Sequence, residues 1–149
     1  MMWTLPGTVL QIDRDHPETA EQLFSTMFLA GGIVLSQVSS LTGLEAYTIQ
    51  NWVKRGFLSP PERKKYSMNQ LCRIININMM KNVLPMERIC SMLSYINGHL
   101  DDESDDLIDD QLLYFMFVRL AARAKELYRA EDRDALLDAE LADYQEPVP

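Results

Sequence analysis

Residues 35–66 read LSQVSSLTGLEAYTIQNWVKRGFLSPPERKKY. Ser36 can cap a short helix that buries Leu35, Val38 and Leu41. Gly43 breaks that helix, and a second begins near Glu45, burying Ile49, Trp52 and Val53. Ser39, Gly43 and Ile49 are a small residue for the crossing, a glycine for a turn needing positive φ, and an apolar anchor. Their order and spacing are those of a helix-turn-helix. Such a unit presents the outer face of its second helix to the major groove of DNA. Tyr47, Gln50, Asn51, Lys54 and Arg55 stand on that face, and all can hydrogen-bond base edges or phosphates.

The chain around this segment is punctuated clearly. The first dozen residues show no pattern and read as a loosely ordered arm. Asp15-His16-Pro17 opens a helix carrying Ala20, Leu23, Phe24, Met27 and Phe28 on one stripe, and Gly31-Gly32 ends it. After the second helix of the motif, Gly56 suits a C′ position. Ser59-Pro60-Pro61 cannot continue a helix, and Glu62 to Tyr66 forms a basic turn. Ser67 and Gln70 make a capping box for a helix that buries Leu71, Ile74, Ile75 and Met79. Asn82 to Pro85 interrupts the pattern, and Met86, Ile89, Cys90, Leu93 and Ile96 share a face of the next helix. A long helix is predicted from about Asp105 to Arg129, with an acidic tail that extends or frays beyond it.

The net charge of −8 opposes nucleic-acid binding until it is divided along the chain. Residues 1–32 hold one Arg against four acids, a net of −3. Residues 33–99 hold eight Lys or Arg against three acids, a net of +5, and residues 100–149 hold five against fifteen, a net of −10. The basic charge therefore coincides with the helix-turn-helix segment.

Residues 33–99 resemble the N-terminal winged helix-turn-helix of MerR-type transcriptional regulators. The resemblance is carried by Leu35 to Gly43, Thr48-Ile49, Arg55-Gly56-Phe57-Leu58 before Pro60, Tyr66-Ser67, and Pro85-Met86-Glu87-Arg88-Ile89. The whole chain looks more like a family of small uncharacterised bacterial proteins that shares this core. The resemblance implies a mostly α-helical fold: an N-terminal arm and helix over 1–32, a winged DNA-binding domain over 33–99, and an acidic linker, long dimerisation helix and tail over 100–149. It implies a transcriptional regulator that binds double-stranded DNA as a homodimer, with Arg63, Lys64 and Lys65 of the basic turn added to the α-helical contacts. Two departures imply a smaller contact with DNA. Gln50, Asn51 and Trp52 replace the usual Arg and two aromatics, and the wing is short, with Lys64 where its Arg would be.

Each feature has a plainer reading. A winged helix can serve as a protein-interaction adaptor that keeps the fold without DNA binding, and three consecutive cations often form only a solvated turn. Leu113, Phe117, Leu120, Ala124 and Leu127 make a seam spaced four, three, four and three, which serves a dimer or packs within the monomer. Phe115 and Met116 beside it exceed what one seam buries, which favours the dimer. The acids from Asp101 to Asp110 lack EF-hand spacing and suit a helix N-terminus, so no metal is expected. His16 and His99 are isolated, and no nucleophile elbow, phosphate loop or metalloprotease helix occurs, so neither enzymatic activity nor a cofactor is expected. The longest apolar run, Met27 to Leu35, is nine residues against the roughly 20 of a membrane span. With no targeting segment and two cysteines outside any metal or disulfide spacing, a cytoplasmic protein without membrane partners is expected.

Overall fold

The structure is a computed structural model, and it describes residues 1–97, 109–124, 126 and 133–141. It is mostly helical. In chain order the elements are β1 (Met2–Thr4), β2 (Gln11–Asp13), α1 (Thr19–Met27), β3 (Ile33–Val34), α2 (Leu35–Thr42), α3 (Ala46–Lys54), β4 (Lys65–Tyr66), α4 (Met68–Met80), α5 (Met86–Asn97), α6 (Asp110–Ala122) and α7 (Arg133–Glu140). Among the described residues no helix is long and apolar enough to cross a membrane.

α4 is the centre of the fold. Ser67 and Gln70 cap it as the spacing predicts: the Gln70 N–H donates to Ser67 Oγ at 3.1 Å and the Ser67 N–H donates to Gln70 Oε1 at 2.8 Å. The Gln70 amide also donates to Ser59 O, Ser59 Oγ and Pro60 O, fastening the chain that returns from α3. Leu71 to Ile77 are buried without a break, so the helix is covered on all sides and not only on the stripe of Leu71, Ile74 and Ile75; Met79 is half-buried. The polar members of this run meet the start of α6. Asn76 Nδ2 donates to Asp110 O at 3.4 Å, and Arg73, 2% exposed, has Nη1 4.0 Å from Asp110 Oδ1. A buried ion pair contributes little net stability but penalises any other docking of α6.

The N-terminal residues are not a loose arm. β1 and β2 pair antiparallel, Met2 with Asp13, Trp3 with Ile12 and Thr4 with Gln11. Leu5 and Ile12 enter the core. The connecting loop is held from three sides: Asn78 Nδ2 donates to Gly7 O and Thr42 O, the Tyr114 hydroxyl donates to Pro6 O at 2.8 Å, and the Val9 N–H donates to Leu41 O. Gly7 has φ +72°, and a Cβ there would lie 2.7 Å from Ile75 Cγ2, so only glycine fits.

α1 begins at Thr19, after a turn at Asp13 to Thr19, and ends at Met27, before the glycine pair. Val34, and not Ser36, occupies the N-cap of α2; Gln37 Oε1 accepts from the Val34 N–H at 3.0 Å, and Ser36 is exposed within the first turn. α6 is shorter than the span predicted. Asp109 is its N-cap, accepting from the Leu112 N–H at 2.7 Å, and the helix stops at Ala122. α7 is a separate helix and not an extension of α6. Phe24, Tyr114 and Phe115 form an aromatic cluster with ring centroids 5.4 to 6.0 Å apart. Phe115 and Met116 are buried within the chain's own core, so their apolar surface is not the surplus that a dimer interface requires. His99, the acids from Asp101 to Asp106, Leu127 and the end of the tail lie outside the described residues.

Candidate nucleic-acid interface

α2 and α3 meet through a short turn. Gly43 has φ +74°, and its N–H donates to Ser39 O, which closes α2. The Ser39 hydroxyl donates to Leu44 O across the turn, and the Thr42 hydroxyl donates to Val38 O while accepting from the Leu44 N–H. α3 buries Ile49 (0% exposed) and Trp52 (5% exposed), with Val53 half-buried. Its end is a Schellman motif: the Phe57 N–H donates to Trp52 O and the Gly56 N–H to Val53 O.

Tyr47, Gln50, Asn51, Lys54 and Arg55 are all exposed, Tyr47 at 70%. They are not equally available. The Arg55 guanidinium lies 3.6 Å from Glu87 of α5 and 4.6 Å from the centroid of the Phe57 ring. The first contact offsets the local charge, and the second fixes where the side chain can reach. Lys54 has neither restraint among its described contacts.

The basic turn adjoins this helix. β4 pairs antiparallel with β3, Ile33 with Tyr66 and Val34 with Lys65. Glu62 and Lys65 exchange two backbone hydrogen bonds, leaving Arg63 and Lys64 as a two-residue tip. Both have positive φ, 52° and 65°, as in the type I′ turns that match strand twist. Residues other than glycine are strained there by about 1–2 kcal/mol each. An asparagine followed by a glycine at these two positions would relieve much of this. The double variant Arg63→Asn, Lys64→Gly is expected to gain about 1 kcal/mol, or about 3 °C in Tm. Thermal denaturation checks it, and an unchanged or lower Tm would show the turn unstrained.

Lys64 and Gln50 line one groove, together with Leu35, Val53, Pro61 and Tyr66. Arg63 and Lys65 line a separate groove, with Glu62 and Gln70. The cations of the turn are therefore divided between two grooves, and Lys64 is the one that shares a groove with Gln50 and Val53 of α3. This pairing of Lys64 with Gln50 has no signal in the sequence, because it depends on how the chain returns from Pro60 to Tyr66.

The seam residues of α6 occupy mixed environments. Leu113 is half-buried and packs against the chain's own core, Leu120 is half-buried, Phe117 is 43% exposed and Ala124 is exposed. The two cysteines are free thiols. Burial pushes the Cys72 thiol well up, with Asp110 adding to the effect. Burial also raises that of Cys90, against the pull of neighbouring Arg73 and Arg55. Protonated thiols of this kind are weak nucleophiles. Among the described residues no group of three or more His, Cys, Asp or Glu is placed to hold a metal ion.

An uncharacterised protein of Bacillus subtilis (strain 168), YkrK, is 33% identical to this chain over 86 residues. The match covers 55% of this chain and 37% of the relative, so the chain spans well under half of that protein's length. No solved structure matches. Residues 22–117, which run from α1 through α3 and the basic turn into α6, match the family described as domain of unknown function (DUF1836), and the chain belongs to that family.

Proposed function

We propose that this protein is a regulator of transcription that binds double-stranded DNA, with α2, α3 and the 62–65 turn acting as a MerR-like winged helix-turn-helix. The observation that carries the reading is the exposure of Tyr47, Gln50 and Asn51 on α3 while Ile49 and Trp52 anchor the same helix, with Lys64 beside Gln50. Amide side chains at the centre of an exposed helix suit adenine N6 and N7, and a flanking ammonium suits a phosphate. Selection of bound duplexes from a random pool tests it. A recurrent sequence is expected, Asn51→Ala should change the preference, and Lys64→Ala should weaken all sequences alike. An unenriched pool, or a preference altered by Lys64→Ala and untouched by Asn51→Ala, would sink the docking.

The contact between Glu87 and Arg55 is the observation that favours the rival, an adaptor binding other proteins. It places a carboxylate at the end of α3, where a DNA reader gains most from an unopposed cation. Absence of duplex binding even at low salt would decide for the adaptor.

A homodimer completes the proposal, since one short recognition helix reads few base pairs and two-fold pairing doubles the site. Of the described seam residues, Phe117 is the most exposed large apolar side chain and Leu120 is half-buried beside it, so these two have apolar surface to contribute. Light scattering is expected to give twice 17.2 kDa, and Phe117→Glu to return the mass to 17.2 kDa. A wild-type mass of 17.2 kDa at micromolar concentration would remove the dimer.

A further inference from the structure

The groove between α3 and the 62–65 turn has a volume of about 420 Å³. Tyr66, 2% exposed, forms its floor with the half-buried Leu35, Val53 and Pro61, while Gln50 and Lys64 stand exposed at its rim. An apolar floor with a few polar groups, within roughly 300–1,000 Å³, is the make-up of a small-molecule site. A contrasting groove, between Arg14 to Glu18 and Arg119 to Glu126, is walled mainly by charges of both signs, with Pro17 and Ala122 as its apolar lining.

The charge at the rim selects the ligand. Lys64 is the ionised side chain lining the groove, and Glu62, the acid of the same turn, lines a separate one. Lys64 is also held at φ +65°, and strained backbone of this kind persists where the fold over-determines it, often at ligand clamps.

We propose that this groove binds a small flat monocarboxylate, its apolar body on Leu35, Val53 and Tyr66 and its carboxylate on the Lys64 ammonium. The Gln50 amide is placed to donate a second hydrogen bond to that carboxylate. A ligand seated there covers Gln50 and Lys64. Resting on the DNA reading above, ligand and duplex then exclude one another, and the carboxylate acts as an inducer that releases DNA.

Phenylacetate is the probe, with phenylacetamide and phenethylamine as its neutral and cationic counterparts. Each is titrated into the 149-residue protein labelled for NMR. Phenylacetate should shift resonances of Leu35, Gln50, Val53 and Tyr66 with a millimolar Kd, as suits a ligand of its size. Phenylacetamide should bind about fivefold more weakly, the worth of one exposed ion pair. Lys64→Gln, an exchange at an exposed turn residue, should bring phenylacetate to the level of the amide, and Lys81→Gln should leave it unchanged. Shifts centred elsewhere, equal binding of acid, amide and amine, no binding at tens of millimolar, or indifference to Lys64→Gln would each overturn the site. Displacement of a labelled duplex by phenylacetate tests exclusion. Carboxylate binding without displacement overturns the inducer role alone, and a protein that binds no duplex at low salt overturns the DNA reading while the NMR result still judges the groove.

Discussion

Trp52→Ala is expected to lower stability by about 3–5 kcal/mol, the range for emptying a buried aromatic site. Trp52 is 5% exposed and belongs to the continuous core formed with Ile49, Leu58, Leu71 and Ile74. Its carbonyl also accepts the Phe57 N–H that closes α3, so its side chain and backbone serve the same junction. A domain of this size has a total stability of about 5–15 kcal/mol, so the variant loses a large share and its Tm falls by more than about 6 °C. Tyr47, five residues earlier and 70% exposed, is the control: Tyr47→Ala should change stability by less than about 0.5 kcal/mol. Chemical denaturation of both variants measures the contrast. Equal midpoints for Trp52→Ala and wild type would mean that α3 does not present its outer face as described.

That contrast was legible in the sequence because it rests on helical spacing. The 49, 52 and 53 stripe faces inward and the 47, 50, 51 and 54 stripe outward, as periodicity predicts. Local signals served equally well at the capping box of Ser67 and Gln70 and at the glycines Gly43 and Gly56, where few residues decide the geometry. Signals failed where distant partners decide. The β1–β2 hairpin has no periodic pattern of its own, and its loop is held by Asn78, Tyr114 and the surface of Ile75. In α6 the four-three spacing of Leu113, Phe117 and Leu120 suggested one seam, yet the deepest apolar residues are Tyr114, Phe115, Met116 and Val118. A helix that is apolar on several sides cannot be oriented by spacing alone. The same holds at the site. Exposure of the α3 face was readable, whereas the Glu87 contact to Arg55 joins residues 32 positions apart and depends on how α5 packs.

Under the proposed DNA-binding function, affinity for duplex DNA is expected to fall about 100-fold per protomer between about 50 and 200 mM salt. Lys54, Arg63, Lys64 and Lys65 are the exposed cations of α3 and the turn, with Arg55 held by Glu87. Neutralising about four phosphates gives a slope near −3.6 in log K against log salt, and a fourfold rise in salt then removes about two decades. A dimer engaging two half-sites doubles the slope. The net of −10 over residues 100–149 works in the opposite sense, since its repulsion of DNA is also screened as salt rises. Glu87→Gln separates the contributions. It removes the carboxylate 3.6 Å from Arg55, so the freed guanidinium can engage one more phosphate. Binding at low salt should strengthen, and the slope should steepen by about 0.9. Fluorescence anisotropy of a labelled duplex across a salt series reads both quantities. A slope indifferent to Glu87→Gln would mean that Arg55 never reaches the backbone, and the interface would then centre on Gln50, Asn51 and the turn.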